Sequence, residues 1–402
     1  MNKESYIDII SRDNVEELRK LVNSNNSTNL FERIYQLDFD YNNLKEDYLT
    51  IFHVAACHNS LRCFEYLHIK CNFPIDIESS SSCTPFQFAV FIGSVDVVEY
   101  IFRYYEANFG QDGLENKLFS EEYSNPKNVN SIILFAISKN PNILNLLFKY
   151  GYSFGKYSDT CKYKINKALK YSITLKNTQF FEILLKKYCE SNLEKDSILI
   201  LYATALQNNS ALRLLLDAKF NPSYMAEDFR TPISIACFYS NVETVKMLAE
   251  VTEEVDIPAN IKAPSAVHWI CSSKSPEIAK ILCSKGIDVN RVDAQGRMGP
   301  SFFISSNNNN KNNIEILTVL LNHGLKINFH LPGKNTILGD CLKSDIFKDS
   351  IEFTEFLLDN GADPNALIDS GGKSPVTCIE HIKRNARPST KYKELYDNYF
   401  NS

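Results

Sequence analysis

The segment Thr84-Pro85-Phe86-Gln87-Phe88-Ala89 is followed by Gly93 and then by the apolar run Val97-Val98-Glu99-Tyr100-Ile101-Phe102, and this pattern recurs along most of the chain. Thr50-Ile51-Phe52-His53-Val54-Ala55-Ala56 precedes it by 34 residues. Thr231-Pro232-Ile233-Ser234-Ile235-Ala236 comes later, and Ser265-Ala266-Val267-His268-Trp269-Ile270 another 34 residues on. A recurrence of this length constrains the fold strongly. Each copy is one supersecondary piece that cannot bury its apolar face alone, so copies must stack on one another. Function is then expected on the surface of an array and not in one catalytic pocket.

With Thr84 as origin, the equivalent slots are Thr50, Thr84, Ser131, Lys167, Ile198, Thr231, Ser265, Met298, Thr336 and Ser374. Thr84 and Thr231 can cap a helix through the hydroxyl, and Pro85 and Pro232 suit the first turn, where no amide partner is needed. Ser374-Pro375 repeats the device. Phe86, Ala89 and Val90 share one face of a short helix. Gly93 can reverse the chain at positive φ, and Asn59 and Asn140 are tolerant substitutes. Val97, Val98, Ile101 and Phe102 give a second helix its apolar stripe.

Gly286-Ile287-Asp288-Val289-Asn290, Gly324-Leu325-Lys326-Ile327-Asn328 and Gly361-Ala362-Asp363-Pro364-Asn365 each close a second helix, where Gly stops the helix and the chain turns outward. Residues 105–130 read as an enlarged loop, and the Asn-rich run 307–313 as a lengthened turn inside one repeat, which costs little loop entropy. The ends depart from the pattern, as caps of a stack do. Glu4–Asn25 has a helix-turn-helix pattern, extra helix is expected around Leu30–Leu37, and Val376–Ile382 with Lys391–Phe400 can supply a last pair.

A period near 34 suits either of two helical repeat families. The Thr-Pro openings and the Gly-x-Asp-x-Asn endings decide between them: from about residue 40 to about 380 the chain resembles the ankyrin-repeat family. Its Asn-, Lys-, Phe- and Tyr-rich composition resembles the divergent members expanded in trichomonads and amoebae. The resemblance implies an all-α solenoid of stacked helix-turn-helix units with short β-hairpin or loop fingers. It divides the chain into N-terminal capping helices over 1–40, about ten repeats over 41–380 and a C-terminal capping helix over 381–402. It also implies that His53 and His268, in the fourth place of T-P-L-H, bond to backbone in the adjoining finger. Asp293-Ala294-Gln295-Gly296-Arg297 matches the family's finger tip.

Little else signals chemistry. The formal net charge of −5 gives no nucleic-acid footprint, and no apolar run is long enough to span a bilayer. The 11 cysteines form no C-x-x-C pair, and Cys237 and Cys271 stand where Ala56 stands, so they read as small buried hydrophobes suited to a reducing cytoplasm or nucleus. No histidine spacing, glycine-rich phosphate loop or nucleophile elbow is recognisable. No catalytic residue, metal or cofactor is implied, and the chain is expected to be no enzyme. Trp269, the single tryptophan, reads as packing between repeats.

The resemblance places the finger tips and the exposed side of the first helices on one concave groove. Projected onto this sequence, the groove candidates are Phe91, Ile92, Glu227, Asp228, Arg230, Phe238, Tyr239, Gln295 and Arg297. Aromatics in such a place are frequent interface anchors, and filling of gaps is the alternative. The expectation is a non-catalytic scaffold or adaptor in the cytoplasm, monomeric by itself, that binds a protein partner and neither nucleic acid nor membrane. A substrate-recognition subunit of a ubiquitin ligase and a tether to membrane or cytoskeleton are the alternatives.

Overall fold

A computed structural model describes residues 3–24, 30–33, 35–36, 47–119, 140–152, 158–191, 193–256, 263–304, 310–343, 351–368, 375–388 and 390–401. The chain divides into two compact halves, Met1–Glu194 and Lys195–Ser402.

The first half opens with α1 (Lys3–Ser11) and α2 (Val15–Ser24). Then come the pairs α3 (Ile51–Cys57) with α4 (Leu61–Cys71) and α5 (Pro85–Ile92) with α6 (Val95–Gly113). It continues through α7 (Pro141–Lys149), α8 (Ser158–Thr174) and α9 (Thr178–Glu190). Helix α1 packs on α3 and α3 on α5, while α2 packs on α4 and α4 on α6. First helices therefore form one row and second helices another. That is how hairpins too small to own a core share one.

The second half repeats the plan more regularly. Its first helices are α10 (Ile198–Ala205), α12 (Pro232–Phe238), α14 (Ala266–Ser273), α16 (Ser301–Ile304), α18 (Ile337–Lys343) and α20 (Cys378–Asn385). Its second helices are α11 (Asn209–Asp217), α13 (Val242–Val251), α15 (Pro276–Cys283), α17 (Asn310–Asn322), α19 (Ile351–Asp359) and α21 (Lys391–Phe400). Each row packs in sequence order from end to end. The only paired strands among the described residues, β1 (Leu367–Ile368) and β2 (Val376–Thr377), form an antiparallel finger before α20.

Caps explain where these short helices begin. The amide of Thr84 donates to Gln87 Oε1 at 2.8 Å, and the Gln87 amide donates to Thr84 Oγ1. Thr231 with Ser234 and Thr377 with Glu380 exchange the same pair of bonds. Such reciprocal boxes satisfy amides that a helix start leaves orphaned. Seven- and eight-residue helices depend on them.

Five expectations need correction. Residues 30–33 and 35–36 are not helical; Tyr35 instead bridges Leu49 in an extended pair. Helix α6 runs through the supposed loop to Gly113, bent where Gly110 takes φ 64°, and a π-turn over Leu114–Leu118 follows. Lys167 lies inside α8 and caps nothing. The last repeat is capped by Thr377, three residues beyond the expected slot, because Thr377-x-x-Glu380 makes the box. Asn310–Asn313 belong to α17 and not to a turn. Residues 120–139, 305–309 and Ser374 lie outside the described residues.

Candidate protein-binding surface

Three devices hold the fingers in place. His53 is fully buried, and its Nδ1 accepts from the Thr50 amide at 3.3 Å. An amide only donates, so the proton sits on Nε2, which donates to the Cys83 carbonyl of the next finger at 3.1 Å. His268 does the same between Ser265 and the Arg297 carbonyl, at 3.1 and 3.0 Å. Burial lowers the His53 pKa to about 4 and lowers that of His268 as well. Both imidazoles are structural, as the resemblance implied.

The second device is the finger tip at Asp293. Its side chain is fully buried and accepts from the Gln295 and Arg297 amides, both at 2.9 Å, and from Arg297 Nε at 2.8 Å. Burial pushes its carboxyl pKa up, but the bonds from Arg297 outweigh this and hold it below the usual range. The Arg297 guanidinium also lies over the Phe302 ring, 4.7 Å from its centre.

Sequence reasoning missed the third device. Asn290 Nδ2 donates to the Gly324 carbonyl at 2.9 Å and Asn290 Oδ1 accepts from the Lys326 amide at 2.7 Å. Asn328 repeats this on Gly361 and Asp363, both at 2.8 Å. Asn290 and Asn328, which close two of these endings, are thus rungs joining their own repeats to the next. Their spacing was visible, but the cross-repeat partner was not.

The candidate residues divide as follows. Phe91 is buried, so it presents no ring to a partner, and Ile92 is half-buried. The cause is α5 itself: Phe86, Phe88, Ala89, Val90 and Phe91 are all covered, and a helix apolar all round is a buried one. These two lie in the first half, and the other seven lie in the second.

In the second half, Phe238 at the end of α12 is 74% exposed and Tyr239 beside it 43%, their rings edge to face at 5.2 Å. Glu227, Asp228 and Arg230 are exposed on the finger before α12, with Arg230 paired to Asp228 at 2.6 Å. Gln295 is exposed at the next tip but one, and Arg297 is held by Asp293. Sequence projection skipped Phe229, which is 46% exposed with φ 63°. A bulky residue in the left-handed region is an outlier, and nothing in its spacing announced it.

The cysteines behave as small hydrophobes. Cys57, Cys237 and Cys271 are buried with thiol pKa values pushed up by burial, and Cys341 reaches about 12 for the same reason. Trp269 is buried. Among the described residues no helix is long and apolar enough to cross a membrane.

Residues 199–293 match the family model for ankyrin repeats, in three copies. A curated relative is an ankyrin repeat protein of Acanthamoeba polyphaga mimivirus, 25% identical over 243 residues and 58% of this chain. The chain spans 30% of that relative's length. Among solved structures, the ankyrin repeat domain of Bcl-3, a member of the IkappaB protein family, is 17% identical over 53% of this chain and 92% of its own, with a TM-score of 0.44. The human ASB11 ankyrin repeat domain is 16% identical over 68% of this chain and 98% of its own, with a TM-score of 0.32.

Proposed function

Because this chain is an ankyrin-repeat protein, we propose that it acts without catalysis, by holding a partner protein on the finger and first-helix surface around α12. The observation that carries this reading is the pair Phe238 and Tyr239. Two aromatic rings stand side by side at the end of α12, and Phe238, at 74%, is the most exposed large hydrophobic side chain among the described residues. Aromatic side chains offer much contact area with few rotatable bonds, which is why they recur at interface hot spots.

Phe229 adds a third exposed ring on the preceding finger. The Arg230–Asp228 pair beside it offers both a donor fork and an acceptor. The reciprocal Thr231–Ser234 box fixes the start of α12, which limits the ordering entropy lost on binding there.

The test is capture of partners from the source cell by the intact protein, followed by measurement of affinity for each purified partner. The F238A/Y239A variant should lose at least tenfold in affinity with its melting temperature unchanged. Undiminished affinity would remove this surface from consideration. Arg297 is left out of the variant because its replacement would disturb the finger itself.

A further inference from the structure

The closing pentapeptide of each repeat in the second half aligns as Lys219–Ser223, Thr252–Asp256, Gly286–Asn290, Gly324–Asn328 and Gly361–Asn365. The leading residue is left-handed in four of the five, with φ 61° at Lys219, 77° at Gly286, 89° at Gly324 and 85° at Gly361. Thr252 is the exception, at φ −99° and ψ 122°. A β-branched side chain resists positive φ, so the chain leaves α13 extended. At the other end, Asp256 stands where the rungs use Asn, and a carboxylate has no N–H to donate. Asp256 turns instead to the Ala266 amide at 2.9 Å.

Between this divergent turn and the preceding finger lies a crevice of about 350 Å³. Its walls include Pro222, Met225, Ile233 and Val255, and it carries the carboxylates of Glu253, Glu254 and Asp256, with no lysine or arginine among the described residues that line it. Glu253 and Glu254 are exposed, while Asp256 is occupied by the Ala266 amide and stands 3.9 Å from Arg291. Thr252 also lines the crevice, is 4% exposed, and its hydroxyl has no hydrogen-bond partner. A buried polar atom without a partner is uncommon and costly, so it calls for a group to be supplied.

We propose that this crevice is a subsite for a lysine side chain of the bound partner. The inference rests on the reading that the chain binds protein. Charge and shape both favour this occupant. A lysine stem of four methylenes suits an apolar wall, and its ammonium is a compact donor of three hydrogen bonds. Glu253 and Glu254 accept from it at the mouth, and the Thr252 hydroxyl supplies a further oxygen. Among the described residues no group of three or more His, Cys, Asp or Glu side chains is placed to hold a metal ion, which sets the carboxylates apart from a metal centre.

The test uses the full chain with labelled Met and Ile methyl groups, titrated with an N-acetylated, C-amidated Ala-Ala-Lys-Ala-Ala peptide. The control peptide carries norleucine for lysine, keeping the stem and removing the charge. Saturable shifts of the Met225 and Ile233 methyls with the lysine peptide alone are expected. E253Q/E254Q should weaken the response at least tenfold, and T252V should weaken it while leaving the fold intact.

Equal response to the norleucine peptide, no response to either, or indifference to E253Q/E254Q overturns the proposal. F238A/Y239A separates the two readings. If that variant abolishes partner binding while the lysine peptide shifts nothing, the crevice fails and the aromatic surface stands. If the peptide response persists but partner affinity ignores Phe238 and Tyr239, the aromatic surface fails alone.

Discussion

His53 donates from Nε2 to the carbonyl oxygen of Cys83 at 3.1 Å, bridging two successive fingers with a ring that has no contact with solvent. A second proton has nowhere to go, because Nδ1 already faces the Thr50 amide at 3.3 Å.

Stability should therefore fall in mild acid. Burial lowers the His53 pKa from 6.5 to about 4, so between those values the unfolded chain takes a proton that the folded chain refuses. The associated loss is on the order of 3 kcal/mol, complete below about pH 4 and absent above about pH 6.5. His268 acts in the same direction. H53Q borrows the box that Gln87 makes with Thr84 and should flatten the urea midpoint between pH 7 and pH 5 relative to the parent. An unchanged pH slope in H53Q would assign the acid sensitivity elsewhere.

Asn328 links its own repeat to the next through two bonds of 2.8 Å, one donated and one accepted. Replacing it with alanine should cost about 1–3 kcal/mol, at roughly 0.5–1.5 for each bond. N328D keeps the acceptor for the Asp363 amide and loses the donor to Gly361, so it should cost roughly half as much. Urea midpoints of the two variants decide the order. Equal costs would mean that the accepted bond contributes nothing.

Arg297 divides its guanidinium between a buried carboxylate and an aromatic face. Its side chain is 50% exposed, which screens the ion pair and limits the loss in R297A to about 1–2 kcal/mol. Lysine cannot reproduce the fork, so R297K should recover less than half of that loss. Thermal melting of both variants is the check, and full rescue by lysine would contradict a role for the guanidinium's planar fork.

Phe229 is held at φ 63° with its ring 46% exposed. A non-glycine residue there costs about 1–2 kcal/mol, against about 0.5–1 for the freedom glycine adds to the unfolded chain. F229G should thus raise stability by about 0.5–1 kcal/mol while weakening affinity for a purified partner. Gain of stability with full affinity would leave the exposed ring without a role.

The sequence revealed most where a local bond decides the structure. Thr84, Thr231, His53 and His268 were legible because capping acts over three residues and has a residue-type signature. The same rule would have placed the last cap at Thr377, where Thr-x-x-Glu is present, but the Ser374-Pro375 dipeptide suggested an earlier start. Lys167 was reached by spacing alone, and spacing carries no information about a helix that begins nine residues sooner at Ser158. Phe91 was misplaced because a slot shared with Phe238 was taken to mean a shared exposure. The two helices differ: α5 buries Phe91 along with Phe86, Phe88, Ala89 and Val90, whereas α12 ends with Phe238 in solvent. The asparagine rungs depend on partners a whole repeat away, which pairing rules within a window cannot supply.

Cys237 and Cys271 occupy matching places in successive first helices, sealed and protonated. Cys189, by contrast, stands exposed. An alkylating reagent would therefore label Cys189 at once, and Cys237 and Cys271 only as their surroundings part. The chain carries its own clock for the order in which neighbouring hairpins come undone, readable by mass with no engineered cysteine.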